Sequence, residues 1–192
     1  MYEKDYWQIV AHGLLRSDFE WLEALRASVS SIIIFGCWDN GDTHRGCREP
    51  YALLRILEAT SAVVVDKEAE YIRNAQSWFL KTQAQYPELL GAYDLKFVVS
   101  DMTRETDELP ISCFDLVYCS GVLYFMRSDV DQLQAAVNTM ARVVKPGGWV
   151  IASEDEGLEM RFEEAGLEKT ESFDNVPEYV YCFKKPQGKL DV

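Results

Sequence analysis

The feature that most constrains this chain is an alternation between short β-branched runs and longer segments with apolar residues at helical spacing. Ser31-Ile-Ile-Ile-Phe35, Ser61-Ala-Val-Val-Val-Asp66, Leu95-Lys-Phe-Val-Val99, Phe114-Asp-Leu-Val-Tyr-Cys119 and Trp149-Val-Ile-Ala-Ser153 are each five or six residues long. That is the length and composition of strands buried on both faces. Between the first two, Pro50 is expected to open a helix, where its missing N–H would have no intrahelical partner, with Leu53, Leu54, Ile56 and Leu57 as the apolar stripe. Further helices are predicted over 68–80, about 128–144 and 157–165, the second of these closing at Lys145-Pro-Gly-Gly148. Strands alternating with helices predict a parallel sheet covered on both faces. The ending differs: 168–173 and 178–184 are β-prone and separated by Asp174-Asn-Val-Pro177, which predicts an antiparallel hairpin. Ahead of the first strand, Trp7, Val10, Leu14, Phe19, Leu22 and Leu25 predict one or two covering helices within 5–28.

A chain of 192 residues suits one domain of this kind, divided as a helical cover (1–30), a core (31–185) and a polar tail (186–192). The net charge of −13 argues against nucleic acid or an anionic membrane as the main partner, because both are held by clustered Lys and Arg. No apolar run approaches the roughly 20 residues of a spanning helix, and acidic residues stand where a signal peptide carries basic ones. Cys37, Cys47, Cys113, Cys119 and Cys182 are odd in number and scattered, which fits a reducing compartment. A cytoplasmic location is expected.

In an open α/β sheet, ligands bind beyond the carboxyl ends of the strands. After the first strand comes Gly36-Cys-Trp-Asp-Asn-Gly41, where glycine lets a backbone approach a ligand; loop glycines also serve purely structural turns. After the second comes Asp66, able to take both hydroxyls of a ribose or merely to end a strand. After the third comes Ser100-Asp101-Met102, a carboxylate beside an apolar side chain, suited to the amino group and ring of an adenine or simply to a turn. All three lie on one edge of the expected sheet.

Phe114-Asp-Leu-Val-Tyr-Cys-Ser-Gly-Val-Leu123, Arg142-Val-Val-Lys-Pro-Gly-Gly148 and Phe162-Glu-Glu-Ala-Gly-Leu167 resemble the fourth-strand motif, the turn before the fifth strand and the approach to the terminal hairpin of the class I S-adenosylmethionine-dependent methyltransferases. The resemblance spans roughly 31–185. It implies a doubly wound, Rossmann-like sheet of seven strands in the order 3-2-1-4-5-7-6, with strand 7 antiparallel, and S-adenosylmethionine across the switch point, released as S-adenosylhomocysteine. By position it implies Gly36 under the methionine end, Asp66 at the ribose, and Asp101 and Met102 at the adenine, with Cys37, Lys67, Cys119 and Ser120 as further cofactor-binding residues. Ile34 stands where the family usually has an acid, and Trp38 replaces the second glycine. Arg48-Glu-Pro-Tyr-Ala-Leu53 resembles a helix start of the chemotaxis receptor methyltransferases, which also lack that acid, and this implies Glu49 as the partner of the cofactor ammonium.

Methyl transfer from a sulfonium depends mainly on holding nucleophile, methyl and sulfur in line. Tyr124, just after the fourth strand, is the candidate catalytic wall or hydrogen-bonding group, and a small molecule is the expected acceptor. Two alternatives stay open: a binding or regulatory protein that keeps the fold, suggested by Ile34 and Trp38, and aminopropyl transfer, for which Ser120-Gly121-Val122 offers no carboxylate to a substrate amine. Cys37, His44 and Cys47 share a loop, but a structural zinc site needs four ligands and their spacing matches no finger, so no metal is expected.

Overall fold

The β-branched runs become strands because their stiff side chains pack well on a pleated surface. The computed structural model of the chain describes residues 20–37, 45–85, 87, 93–153, 158–170 and 180–188. One sheet holds β1 (Ser31–Phe35), β2 (Ser61–Asp66), β3 (Asp94–Val99), β4 (Phe114–Ser120), β5 (Val144–Ser153), β6 (Glu168–Lys169) and β7 (Val180–Lys184). Its order is β3-β2-β1-β4-β5-β7-β6. β1 to β5 run parallel, and β7 is antiparallel to both β5 and β6. The expected doubly wound seven-stranded sheet, with its antiparallel last strand, is the one observed. Among the described residues, the helices are α1 (Arg45–Leu57), α2 (Ala69–Gln85), α3 (Val130–Val143) and α4 (Glu159–Glu164), with 3-10 turns at Glu20–Leu25 and Leu123–Met126.

Successive strand residues point to opposite faces, and the core divides accordingly. Ile32, Ile34, Leu116, Tyr118 and Ile151 share a buried cluster with Leu22, Leu25 and the α1 residues Leu53, Leu54 and Leu57. Ile33, Phe35, Val117, Cys119, Val150 and Ala152 share the other with Leu133, Val137 and Met140 of α3 and Phe162 of α4. Phe162 stacks on Phe183 of β7, their ring centroids 4.3 Å apart. Each such side chain contributes about 1.5–3 kcal/mol on burial. The expected cover is therefore represented by Leu22 and Leu25; the part of 5–28 before residue 20 lies outside the described residues. No helix among the described residues is long and apolar enough to cross a membrane.

Several boundaries differ from expectation, among them the end of α2, which runs to Gln85 where 80 was expected. Pro50 does not open α1, which starts at Arg45 and carries Pro50 inside it. Proline's fixed φ is itself helical, but at the sixth position of α1 its missing N–H costs the helix one intrahelical bond. β5 starts at Val144 instead of Trp149. The Lys-Pro-Gly-Gly run stays in the sheet because the Gly147 amide donates to the Lys185 carbonyl at 2.8 Å and the Lys185 amide to the Gly148 carbonyl at 2.9 Å. The register with β4 shifts there, Phe114 pairing with Val144 and Leu116 with Trp149, so the surplus residues bulge within β5. β6 is limited to Glu168–Lys169; the rest of the expected hairpin, 171–179, lies outside the described residues.

The amino edge of the sheet is locked by Asp115. Its Oδ2 accepts from the amide and hydroxyl of Ser30 at 3.1 and 2.8 Å and from those of Ser31 at 3.0 and 2.8 Å. Lys145 Nζ donates to Oδ1 at 2.8 Å. Burial alone would raise the pKa of this carboxyl, but Lys145, Ser30 and Ser31 outweigh it and hold the group far below the usual carboxylate range. β1, β4 and β5 are thus tied together at the end opposite the candidate site.

Candidate functional site

α1, following β1, packs on one face of the sheet, and α3, following β4, packs on the other. The adjacent carboxyl ends of β1 and β4 therefore border a crevice, the switch point of a doubly wound sheet. Gly36 sits at its base with φ +90°, a conformation that L side chains rarely adopt. A Cβ there would collide with Val122 Cγ2, so the position has no room for a side chain.

Asp66, at the end of β2, is fixed by two backbone donors from different segments. The Cys37 amide donates to Oδ2 at 3.0 Å. The Glu68 amide donates to Oδ1 at 2.9 Å. A carboxylate oxygen has two lone pairs, so neither bond exhausts its acceptor capacity. Cys37 contributes its backbone here, since its side chain is buried with Val64, Ile72 and Ala75 beneath α2. His44 and the Cys47 side chain lie outside the described residues, and among the described residues no three His, Cys, Asp or Glu are grouped to hold a metal ion.

Beyond β3, Asp101 Oδ1 accepts from the Thr103 amide at 3.0 Å and hydroxyl at 2.7 Å, and Oδ2 lies 3.4 Å from Arg104 Nε. Burial pushes this carboxyl's pKa up, but the Thr103 bonds and the charges of Arg104 and Lys67 bring it below its ordinary value. Lys67 itself is exposed. Met102 is buried in the same cluster as Phe35, Val65 and Leu123, so it supplies floor to this end of the crevice. Glu49 is half-buried in α1 beside Pro50.

At the end of β4, Cys119 is fully buried and pairs in register with Phe35 and Ala152. Ser120 is half-buried opposite Ser153. Tyr124 lies in the following 3-10 turn, where its hydroxyl accepts from Arg127 Nη2 at 2.9 Å and the guanidinium carbon sits 3.9 Å from its ring centroid. The structure thus brings Gly36, Cys37, Asp66, Ser120 and Tyr124 to one edge with Asp101. Three partners were missed at the level of sequence. Asp101-x-Thr103 is a local turn pattern that could have been found. Arg127, three residues after Tyr124, carried a weaker spacing signal. Val122 over Gly36 carried none, because only the sheet brings them together.

Comparisons with known proteins follow the same line. No curated protein sequence matches the chain. Among solved structures, a methyltransferase from Methanosarcina mazei is similar with TM-score 0.62 at 14% identity, covering 88% of this chain and 98% of that one. A TehB-like methyltransferase from Corynebacterium glutamicum gives 0.57 at 18%, covering 96% of both. The sugar N-methyltransferase KedS8 from a Streptoalloteichus species gives 0.61 at 12%, covering 97% of this chain and 94% of that one. At these identities the likeness is one of fold. The family described as "Methyltransferase domain" matches residues 46–152, more than half of the 192, and with the sheet order above this places the chain within that methyltransferase family.

Proposed function

We propose that the protein transfers the methyl group of S-adenosylmethionine to a small-molecule acceptor, leaving S-adenosylhomocysteine. The observation that carries the reading is Asp66, oriented by the amides of Cys37 and Glu68 with acceptor capacity to spare. A ribose diol needs two hydrogen-bond acceptors side by side on a fixed carboxylate, and Asp66 fits that need. The Gly36 backbone at φ +90° fits close approach of an extended chain.

Within this reading Asp66 holds the ribose hydroxyls, with Lys67 beside it. Asp101 faces the adenine amino group while Met102 packs below the ring. Gly36 and the Cys37 backbone lie under the methionine end, and Glu49 pairs with its ammonium. Cys119 and Ser120 close the end of β4, and Tyr124 walls the acceptor side. When bound, the cofactor supplies a methyl group on a positively charged sulfur. The chain's own contribution is to orient, and orientation can supply about 7–11 kcal/mol of a barrier. A net charge of −13 suits a cationic cofactor. A small-molecule acceptor is supported by the sugar named for one structural neighbour.

Isothermal titration of S-adenosylhomocysteine into wild type, Asp66→Asn, Asp66→Ala and Glu49→Ala tests this, with folding checked by circular dichroism. Each charge-assisted bond lost costs about 1.5–3 kcal/mol, so Asp66→Ala should weaken binding by about tenfold or more. A well-folded wild type that takes up no S-adenosylhomocysteine would sink the proposal.

A further inference from the structure

Large apolar side chains standing in water call for an account when they gather in one place. Tyr124, Phe125, Val130 and Met160 are 40%, 81%, 50% and 58% exposed. They come from three elements that begin at the carboxyl edge of the sheet: the Leu123–Met126 turn after β4, the first residue of α3 and the second residue of α4. The turn is joined to α3 by the Asp129 amide, which donates to the Met126 carbonyl at 2.9 Å. Gln134, one turn along α3 on the same face as Val130, donates through Nε2 to the Arg161 carbonyl at 3.2 Å, next to Met160. The amino ends of α3 and α4 therefore lie side by side, with Val130 and Met160 upon them and the Tyr124-Phe125 pair leading in from β4.

We propose that these four side chains form the acceptor-binding face and that the acceptor carries a planar aromatic ring; the inference rests on the methyltransferase reading above. Three observations favour a small aromatic occupant. The Tyr124 and Phe125 rings stand 5.6 Å apart at 89°, and because the Arg127 guanidinium lies over the Tyr124 ring, the aromatic surface open to a third ring is chiefly that of the well-exposed Phe125. The four side chains expose roughly 400 Å² together, taking about 150–250 Å² for a whole aromatic side chain, whereas a stable protein interface takes about 800 Å² from each partner. The patch also continues from the end of β4, the strand that borders the crevice, so a molecule lying on it extends toward the switch point.

The test is a titration of 2-naphthol, 2-naphthoic acid and, as a polar control, glucose into the protein with and without saturating S-adenosylhomocysteine, read by saturation-transfer NMR and calorimetry. Wild type is compared with Phe125→Ser and Met160→Ser, whose exposed positions leave the fold intact. At least one naphthyl probe should bind more tightly than glucose, and each substitution should weaken it by about five- to thirtyfold without changing the affinity for S-adenosylhomocysteine. Equal binding of glucose, absence of naphthyl binding, or naphthyl binding indifferent to both substitutions would overturn the inference. So would a wild-type dimer in sedimentation that Phe125→Ser converts to monomer, since the patch would then be a self-association surface. Failure of S-adenosylhomocysteine to bind would instead remove the functional reading, so the two failures are distinct.

Discussion

Replacing Gly36 by alanine should damage the fold and the crevice together, for two separable reasons. The backbone at φ +90° disfavours any L side chain, at about 1–2 kcal/mol. The added Cβ would also collide with Val122 Cγ2, and such overpacking costs about 1–3 kcal/mol. The expected loss is about 2–5 kcal/mol, or roughly 5–15 °C in Tm for a chain of this size. Urea unfolding followed by circular dichroism would measure it. Val122→Ala separates the terms, because it removes the obstructing methyl and leaves the backbone as it was. The double variant should recover about 1–3 kcal/mol relative to the sum of the single changes, while the conformational share persists. Strict additivity, or Gly36→Ala with wild-type stability, would refute the packing argument.

Asp115→Asn should cost about 2–3 kcal/mol at pH 7 through the lost charge-assisted bonds. The folded-state pKa of Asp115 is depressed, so its stabilisation is complete above the unfolded value near pH 4 and is lost as pH falls toward the folded one. The difference between wild type and variant, followed by urea unfolding, should therefore narrow below about pH 4; a constant difference would contradict the clasp. Gly148→Ala, whose Cβ would meet Val144 Cγ2 at 2.8 Å and the Lys145 and Asp115 carbonyls at 2.9 and 3.0 Å, should destabilise far more than Gly166→Ala, which has φ +79° but open space around it. About 3 kcal/mol against about 1 is the expected contrast in thermal unfolding. With a thiol reagent, exposed Cys113 should react in the native state before buried Cys37, Cys119 and Cys182. Burial also pushes the Cys182 thiol up to about 12, so its labelling should require unfolding. Mass spectrometry of partly labelled protein would read the order.

The strands, most of the helices and the antiparallel ending were legible because each is written in the period of neighbouring residues: Ile32 to Ile34 read as a buried strand wherever they sit. The strand order and the positions of Gly36, Asp66 and Asp101 on one edge followed from alternation and family resemblance together. Less legible were the features that depend on meeting a distant segment. Pro50 looked like a helix start because local chemistry permits that; the run before it proved to be helical too. Lys145-Pro-Gly-Gly148 looked like a turn, and pairing with Lys185 drew it into the sheet. Nothing near Asp115 in sequence announces Ser30 and Ser31, nothing near Gly36 announces Val122, and nothing near Met102 announces Phe35 and Leu123 in its cluster. Periodicity and turn chemistry act between neighbours, so the strands and the sheet edge that gathers Gly36, Asp66 and Asp101 could be read along the chain. Which oxygen each amide caps, which glycine has no room for a methyl group and which apolar side chains stay in water are properties of space filled by residues far apart along the chain, and these waited on the fold.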